Sequence, residues 1–246
     1  MLWNIIDAAC MCLGMFTTLP MLYRPWDEKL RPLMTACLPG VGLIIGAIWL
    51  LTAYLCRVFD IHPALAAAFV TAMPAIVTGA IHIDGFMDTS DAVLSWRPLE
   101  KRLEILKDPH VGSFAVISLA ALSLFTYGAA FALMANSGPI YPLLLLPMVS
   151  RCCSAFCVAK LKPLSHSEYA AEKNDLPAKA AYIFAAAGLI LSIFAGWRGV
   201  LTVLGIICSY AVSMRKSYKL LSGFSGDLAG CSLVIAECVG LIILAI

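Results

Sequence analysis

Residues 64 to 91 read ALAAAFVTAMPAIVTGAIHIDGFMDTSD, an uncharged apolar run ending in three carboxylates, Asp84, Asp88 and Asp91. The part from Ala64 to Ile83 has the length and composition of a membrane span, which takes about 20 apolar residues. Ionised groups at the edge of hydrocarbon persist only where they are paired, metal-bound or open to water, so the acidic end is a candidate functional site. In a helix the three aspartates fall at i, i+4 and i+7 and share a face. Such carboxylates repel one another unless a cation lies among them, and an oxygen-only set suits Mg²⁺, Mn²⁺ or Ca²⁺ rather than zinc. The alternative is a solvated acidic patch at a helix end. Pro74 and Gly79 interrupt the run just before His82, and a broken helix is tolerated at membrane depth where it lines a cavity. His82 and Asp84 point about 200° apart on an ideal helix, so the histidine joins the carboxylate face only where the helix is broken. It reads either as a hydrogen-bonded structural residue or as a base.

The same composition extends in both directions. The chain has 246 residues, 61% hydrophobic and 13% charged, with mean hydropathy +0.90, whereas a soluble domain carries about 25% charged residues. The expected fold is an all-α polytopic helical bundle, a single integral membrane domain over residues 1–246. Further runs long enough to cross lie near 36–56, 113–135, 139–159, 180–196, 200–214 and 228–246, the pair before the last being short and joined tightly through Trp197 and Arg198. Met1–Pro20 carries Asn4 and Asp7 and lacks both a basic n-region and a small-residue cleavage site, so it does not read as a removed signal peptide. Counting it as a span or as a re-entrant or interfacial helix gives about seven or eight elements in the bilayer.

Fourteen of the seventeen Lys and Arg residues fall on one side of these spans, Arg24 and Lys173 among them. Arg57 and Arg198 fall on the other, and Arg151 lies inside a span. The basic excess marks the cytoplasmic side. It places the acidic cluster on the cytoplasmic side, with the lipid bilayer around the chain. The net charge is only +2 and its basic residues are dispersed, so no nucleic-acid footprint is present. The ten cysteines lie mostly in or beside apolar spans without metal-site spacing and read as small buried hydrophobes.

Other residues gather round the acidic stretch. Gly42 and Gly46, at i and i+4, permit close helix contact. Leu99, Leu103 and Leu106 form an apolar stripe between Pro98 and Pro109, which predicts a short cytoplasmic amphipathic helix through Asp108. Its other faces carry Arg102, Glu104, Lys107 and Asp108, suited to phosphates and a metal or else simply solvated. Arg151 offers a fork that fits phosphate oxygens or pairs with an intramembrane carboxylate. The loop 160–179, with His166, Glu168, Tyr169 and Glu172, is long enough to cover the site. Asp227 opens the last span as a metal-side group or a helix N-cap. Glu237, ten residues on, lies about 15 Å deeper and must face the protein interior.

At these residues the chain resembles a known family. His82-Ile83-Asp84-Gly85-Phe86-Met87-Asp88-Thr89-Ser90-Asp91 resembles the H-x-D-G-x-x-D-T-x-D signature of adenosylcobinamide-GDP ribazoletransferases, the cobalamin synthases. The likeness continues through Arg102–Asp108, Val111-Gly112-Ser113-Phe114 and Gly223-Phe224-Ser225-Gly226-Asp227 with Gly230 and Glu237, and more loosely through Phe16–Pro20 and Leu38–Gly42. Leu106 stands where Met is usual, Phe224-Ser225 replaces Gly-x-Thr, and Ala92 replaces a Gly. The resemblance implies the last assembly step of vitamin B12 synthesis. The 5′ oxygen of α-ribazole, or of its 5′-phosphate, attacks the cobinamide-side phosphorus of adenosylcobinamide-GDP, and GMP leaves in an Mg²⁺-dependent transfer. It also implies that Asp84, Asp88 and Asp91, with Glu237, hold the metal. His82 or one of the aspartates accepts the proton; Lys107, Arg102 and Arg151 meet phosphates; Asp108, Glu104 and Asp227 orient or assist. A second copy of the chain and other corrinoid-pathway membrane enzymes are the protein partners it implies.

Two other readings compete. A CDP-alcohol phosphatidyltransferase uses clustered helical aspartates for similar chemistry, but its usual D-G-x-x-A-R continuation is absent, since Asp88 and Thr89 occupy those places. A divalent-cation transporter would set several carboxylates at mid-bilayer, whereas this cluster lies at a membrane edge.

Overall fold

The computed structural model describes residues 2–21, 23, 25–136, 138–164 and 174–246. Arg24, Lys173 and the loop residues His166, Glu168, Tyr169 and Glu172 lie outside these. The described residues form helices α1 (Leu2–Phe16), α2 (Arg31–Ala36), α3 (Leu38–Val58), α4 (Pro63–Thr78), α5 (Ile81–Leu94) and α6 (Leu99–Ile105). They continue with α7 (Ser113–Ala135), α8 (Leu145–Lys160), α9 (Leu176–Ser192), α10 (Gly196–Leu221) and α11 (Gly226–Ala245). Proline stands in the first turn of α2, α3, α4 and α9, where its missing N–H breaks no intrahelical bond.

The run 64–83 does not cross as one helix. α4 and α5 meet at 93°, and the turn falls at Gly79 (φ +60°) and Ala80 (φ +61°). Both are left-handed, a conformation that glycine adopts freely and alanine only when held. The end of α1 holds it. Thr18 donates its N–H to the Val77 carbonyl (2.8 Å), which the end of α4 leaves open, and its hydroxyl to that of Ile76 (3.0 Å), which also accepts the Gly79 N–H at 3.3 Å. Pro74 lies inside α4, not at the break. It has no N–H for the Val70 carbonyl four residues back, and the buried Trp49 indole of α3 donates there instead, at 2.6 Å.

Among the described residues five helical runs are long and apolar enough to cross a membrane, six if the bent pair is one crossing; the sequence expectation is about seven or eight spanning or re-entrant elements. One of the five, Leu176–Leu221, has 46 residues and would reach about 69 Å if straight. Its ends nevertheless meet the same part of the chain. Asp175 pairs with Lys160 at 2.5 Å, and Gly223 lies against Leu164. α9 and α10 are therefore antiparallel legs that reverse at Gly196 (φ +70°), where the tight joint at Trp197 and Arg198 is expected. α1 is a structured element of 15 residues that reaches only about 22 Å, short of the hydrocarbon thickness.

α11 is the central helix, packed on α5, α7, α8 and α10. α3 and α8 approach until Gly42 and Gly46 lie on the backbones of Pro147 and Leu144, where a Cβ has no room. At the end remote from α6, Arg57 donates to the carbonyls of Gly138 (2.8 Å), Asn136 (2.9 Å) and Leu133 (3.1 Å), closing the turn after α7. Leu124, Phe125, Ile183, Phe194 and Val212 point outward, each more than half exposed. Such apolar surface belongs in lipid. The chain is an integral membrane helical bundle.

Candidate active site

α5 and α11 run antiparallel with their backbones in contact. A Cβ on Gly85 would strike the Asp227 backbone, and one on Gly230 would press on that of His82. This packing carries Asp227 to the acidic face of α5, where the charges of Asp84, Asp91 and Asp227 all act on Asp88. Asp84 is exposed and Asp88 half-buried. Among the described residues no Lys or Arg pairs with Asp84, Asp88 or Asp227.

Asp91 is held differently. It is buried, and its two oxygens accept the backbone N–H groups of Gly112 (2.7 Å) and Ala115 (2.9 Å). It thereby satisfies amides that the start of α7 leaves open, at the positive end of the helix dipole. Among the described residues no three His, Cys, Asp or Glu side chains are arranged to hold a metal ion.

Beside the cluster lies a cavity of about 610 Å³ between α1, α5, α6, α8 and α11, the size of a pocket for one small-molecule ligand. His82, Glu104, Lys107, Arg151 and Asp227 line it; Asp84, Asp88, Asp91, Arg102 and Asp108 do not. Much of its wall is apolar, including Phe16, Leu38, Leu103 and Leu233. Asp227 belongs to both the cavity and the acidic cluster.

His82 lines the cavity from the second position of α5. The helix does break, but upstream at residues 79–80, so His82 and Asp84 remain in one helix on different faces. The His82 ring stacks on Phe16, centroids 6.1 Å apart, and its Nε2 has no hydrogen-bond partner. α6 ends at Ile105, three residues short of the expected Asp108, and Pro98 is its N-cap residue. Its stripe faces inward through Leu103 and Leu106. Arg102 donates from Nε to the Arg97 carbonyl (2.7 Å), and Glu104 pairs with Lys101 at 2.5 Å. In the loop beyond, the backbone N–H and ring of His110 hold the Asp108 carboxyl below the usual range.

Arg151 is buried on α8 and donates from Nη1 to Glu237 Oε1 (3.0 Å) and to the Pro147 carbonyl (3.2 Å). Ser150 donates to the same Glu237 oxygen at 2.8 Å. Of the two readings of Arg151, the pairing with an intramembrane carboxylate is present, and the arginine also borders the cavity. Glu237, expected beside the aspartates, is taken up by Arg151 and Ser150 instead. At the start of α11 the N-cap is Ser225, whose hydroxyl accepts the Leu228 N–H (3.4 Å), with Asp227 two residues on, in the first turn. Sequence reasoning missed Ser150 and Phe16. The signal for the first was a hydroxyl beside the one arginine inside a span; an aromatic that stacks on His82 from a distant helix carries none.

The chain matches the sequence profile of the family described as cobalamin-5-phosphate synthase over residues 8–245. It is 35% identical over 244 residues to an adenosylcobinamide-GDP ribazoletransferase of Clostridium botulinum strain Alaska E43, covering 97% of this chain and 96% of that protein. A protein of the same name from Clostridium perfringens strain ATCC 13124 is 32% identical over 243 residues, 96% of each chain. One from Acinetobacter baumannii is 29% identical over 203 residues, covering 82% of this chain and 81% of its own. No solved structure matches.

Proposed function

This chain belongs to the cobalamin-5-phosphate synthase family, and from that membership we propose that it is an adenosylcobinamide-GDP ribazoletransferase. Its substrates are then adenosylcobinamide-GDP and α-ribazole or α-ribazole 5′-phosphate. The 5′ hydroxyl oxygen forms a bond to the cobinamide-side phosphorus, the bond from that phosphorus to the bridging oxygen breaks, GMP departs, and the hydroxyl proton is lost to a base. The observation that carries the reading is the match over residues 8–245, which includes both the acidic helix and the cavity beside it. Neither a phosphatidyltransferase nor a transporter is favoured by these relatives.

Phosphoryl transfer is catalysed mainly by positioning and charge stabilisation. Lys107 and Arg151, both at the cavity wall, meet the diphosphate, and Arg102 supports the α6 approach to it. Glu104, Asp108 and Asp227 orient the groups around them. His82, with Nε2 unpartnered at the cavity, takes the hydroxyl proton. Asp84 and Asp88 supply oxygen donors with no cation beside them, which fits a hard divalent ion; they would hold Mg²⁺, with Asp91 fixing their helix against α7. When bound, Mg²⁺ offsets the charge of the diphosphate and of the leaving GMP. The cytoplasmic face of the inner membrane is the side we assign to the site, from the basic excess in the loops around it.

The test is direct. Purified protein in proteoliposomes receives adenosylcobinamide-GDP, α-ribazole and Mg²⁺, and GMP and corrinoid products are quantified. Stoichiometric GMP and a cobalamin are expected. Release of CMP from a CDP-linked lipid, or metal uptake without nucleotide turnover, would overturn the proposal.

A further inference from the structure

Glu237 is buried in the middle of α11 and Arg151 in α8, and the two meet where the large cavity touches a second, smaller one of about 90 Å³. Arg151 borders both. One edge of its guanidinium is fixed by Glu237 Oε1 and the Pro147 carbonyl through Nη1. Its Nε is buried without a partner. A buried charged donor left unpaired is unfavourable, and the planar fork of arginine can accept a carboxylate on one edge while presenting N–H groups to a second oxyanion.

We propose that Glu237, steadied by Ser150, is a positioning residue: it holds the Arg151 guanidinium so that its remaining donors face the cavity and receive an oxyanion of the diphosphate substrate. The role rests on the transferase reading above and replaces metal ligation for Glu237. Three features support it. The carboxylate is engaged through one oxygen by two donors, the geometry of an anchor. α8 supplies Ser150 and Arg151 as chain neighbours and the Pro147 carbonyl from the turn before, so all three groups are fixed by one helix. The pair also offsets the charge of a cation that would otherwise be isolated in an apolar interior.

The experiment measures KM for each substrate separately, and kcat, in Glu237→Ala, Glu237→Gln, Ser150→Ala, Arg151→Ala and the Arg151→Ala/Glu237→Ala double variant. Glu237→Ala should raise KM for adenosylcobinamide-GDP about tenfold, the equivalent of one lost charged hydrogen bond, and leave KM for α-ribazole unchanged. Glu237→Gln keeps an acceptor at Oε1 and should restore KM to within about threefold of the unsubstituted protein. The double variant should be no worse than Arg151→Ala alone, because Glu237 acts through the arginine. Should Glu237→Ala not fold, Ser150→Ala loosens the same carboxylate and should raise the same KM about threefold, again selectively. Equal rises in both KM values, additive effects in the double variant, an unchanged KM for adenosylcobinamide-GDP in Ser150→Ala, or a KM in Glu237→Gln as high as in Glu237→Ala would overturn the proposal. Absence of GMP release from the unsubstituted protein would instead remove the transferase reading itself.

Discussion

Asp91 on α5 accepts the backbone N–H of Gly112 at 2.7 Å, and through this bond the acidic helix and the start of α7 are one unit. The glycine is required for it, since a Cβ at residue 112 would lie 2.6 Å from the Asp91 carboxylate. Asp91→Ala leaves the amides of Gly112 and Ala115 without partners, at about 1.5–3 kcal/mol for a charged hydrogen bond. Thermal unfolding in detergent should show a lowered Tm for Asp91→Ala and for Gly112→Ala, and a smaller decrease for Asp91→Asn. An unchanged Tm in Asp91→Ala would remove the anchoring role.

Asp84 and Asp88 behave in the opposite way. They repel one another and Asp227 with no cation beside them, so Asp84→Asn and Asp88→Asn should leave the metal-free Tm unchanged or raise it. In the unsubstituted protein Mg²⁺ should raise Tm, because a ligand that binds only the folded state stabilises it. Either substitution should abolish both that shift and GMP release. A full Mg²⁺-dependent shift in both variants would exclude these aspartates as ligands.

Gly85 lets α5 and α11 touch, its Cβ position being 2.8 Å from the Asp227 Cα. Gly85→Ala must separate two backbones, a strain of about 1–3 kcal/mol, and so moves Asp227 away from Asp84 and Asp88. We expect turnover to fall at least about tenfold, measured as GMP release per folded molecule. Activity equal to the unsubstituted protein would show that the spacing of the two helices does not matter.

Trp49→Phe tests the helix that carries Pro74. It removes the donor to the Val70 carbonyl that Pro74 cannot serve, leaving a buried acceptor unpaired at about 1–3 kcal/mol. Tm should decrease while KM for both substrates is retained, since Trp49 lies outside the substrate cavity. Restoration of stability in a Trp49→Phe/Pro74→Ala pair, where the introduced alanine supplies the missing N–H, is the expected control.

Composition and spacing alone determined much of this protein. The all-α membrane class follows from apolar runs that only helices can carry through lipid with every backbone group satisfied. The close contact at Gly42 and Gly46 and the tight reversal near Trp197 were legible from residue size and local chain geometry. The grouping of Asp84, Asp88 and Asp91 followed from helical periodicity, since all three lie within one short helix.

The tertiary structure decided what depends on partners distant in sequence. Pro74 and Gly79 marked a weak helix, but whether the chain turns depends on who takes the freed carbonyls: Trp49 does so at Val70 and keeps α4 intact, while Thr18 does so at Val77 and lets it end. Glu237 had to face inward, yet Arg151, on another helix, decides that it meets a guanidinium and not a metal. Asp91 belongs to the acidic face by periodicity and to α7 by hydrogen bonding. The acidic stretch from Asp84 to Asp91 could be found from the sequence because its residues share a helix face; the division of labour within it required the fold, because a carboxylate's role is set by the nearest donor or cation, and those donors come from elsewhere in the chain.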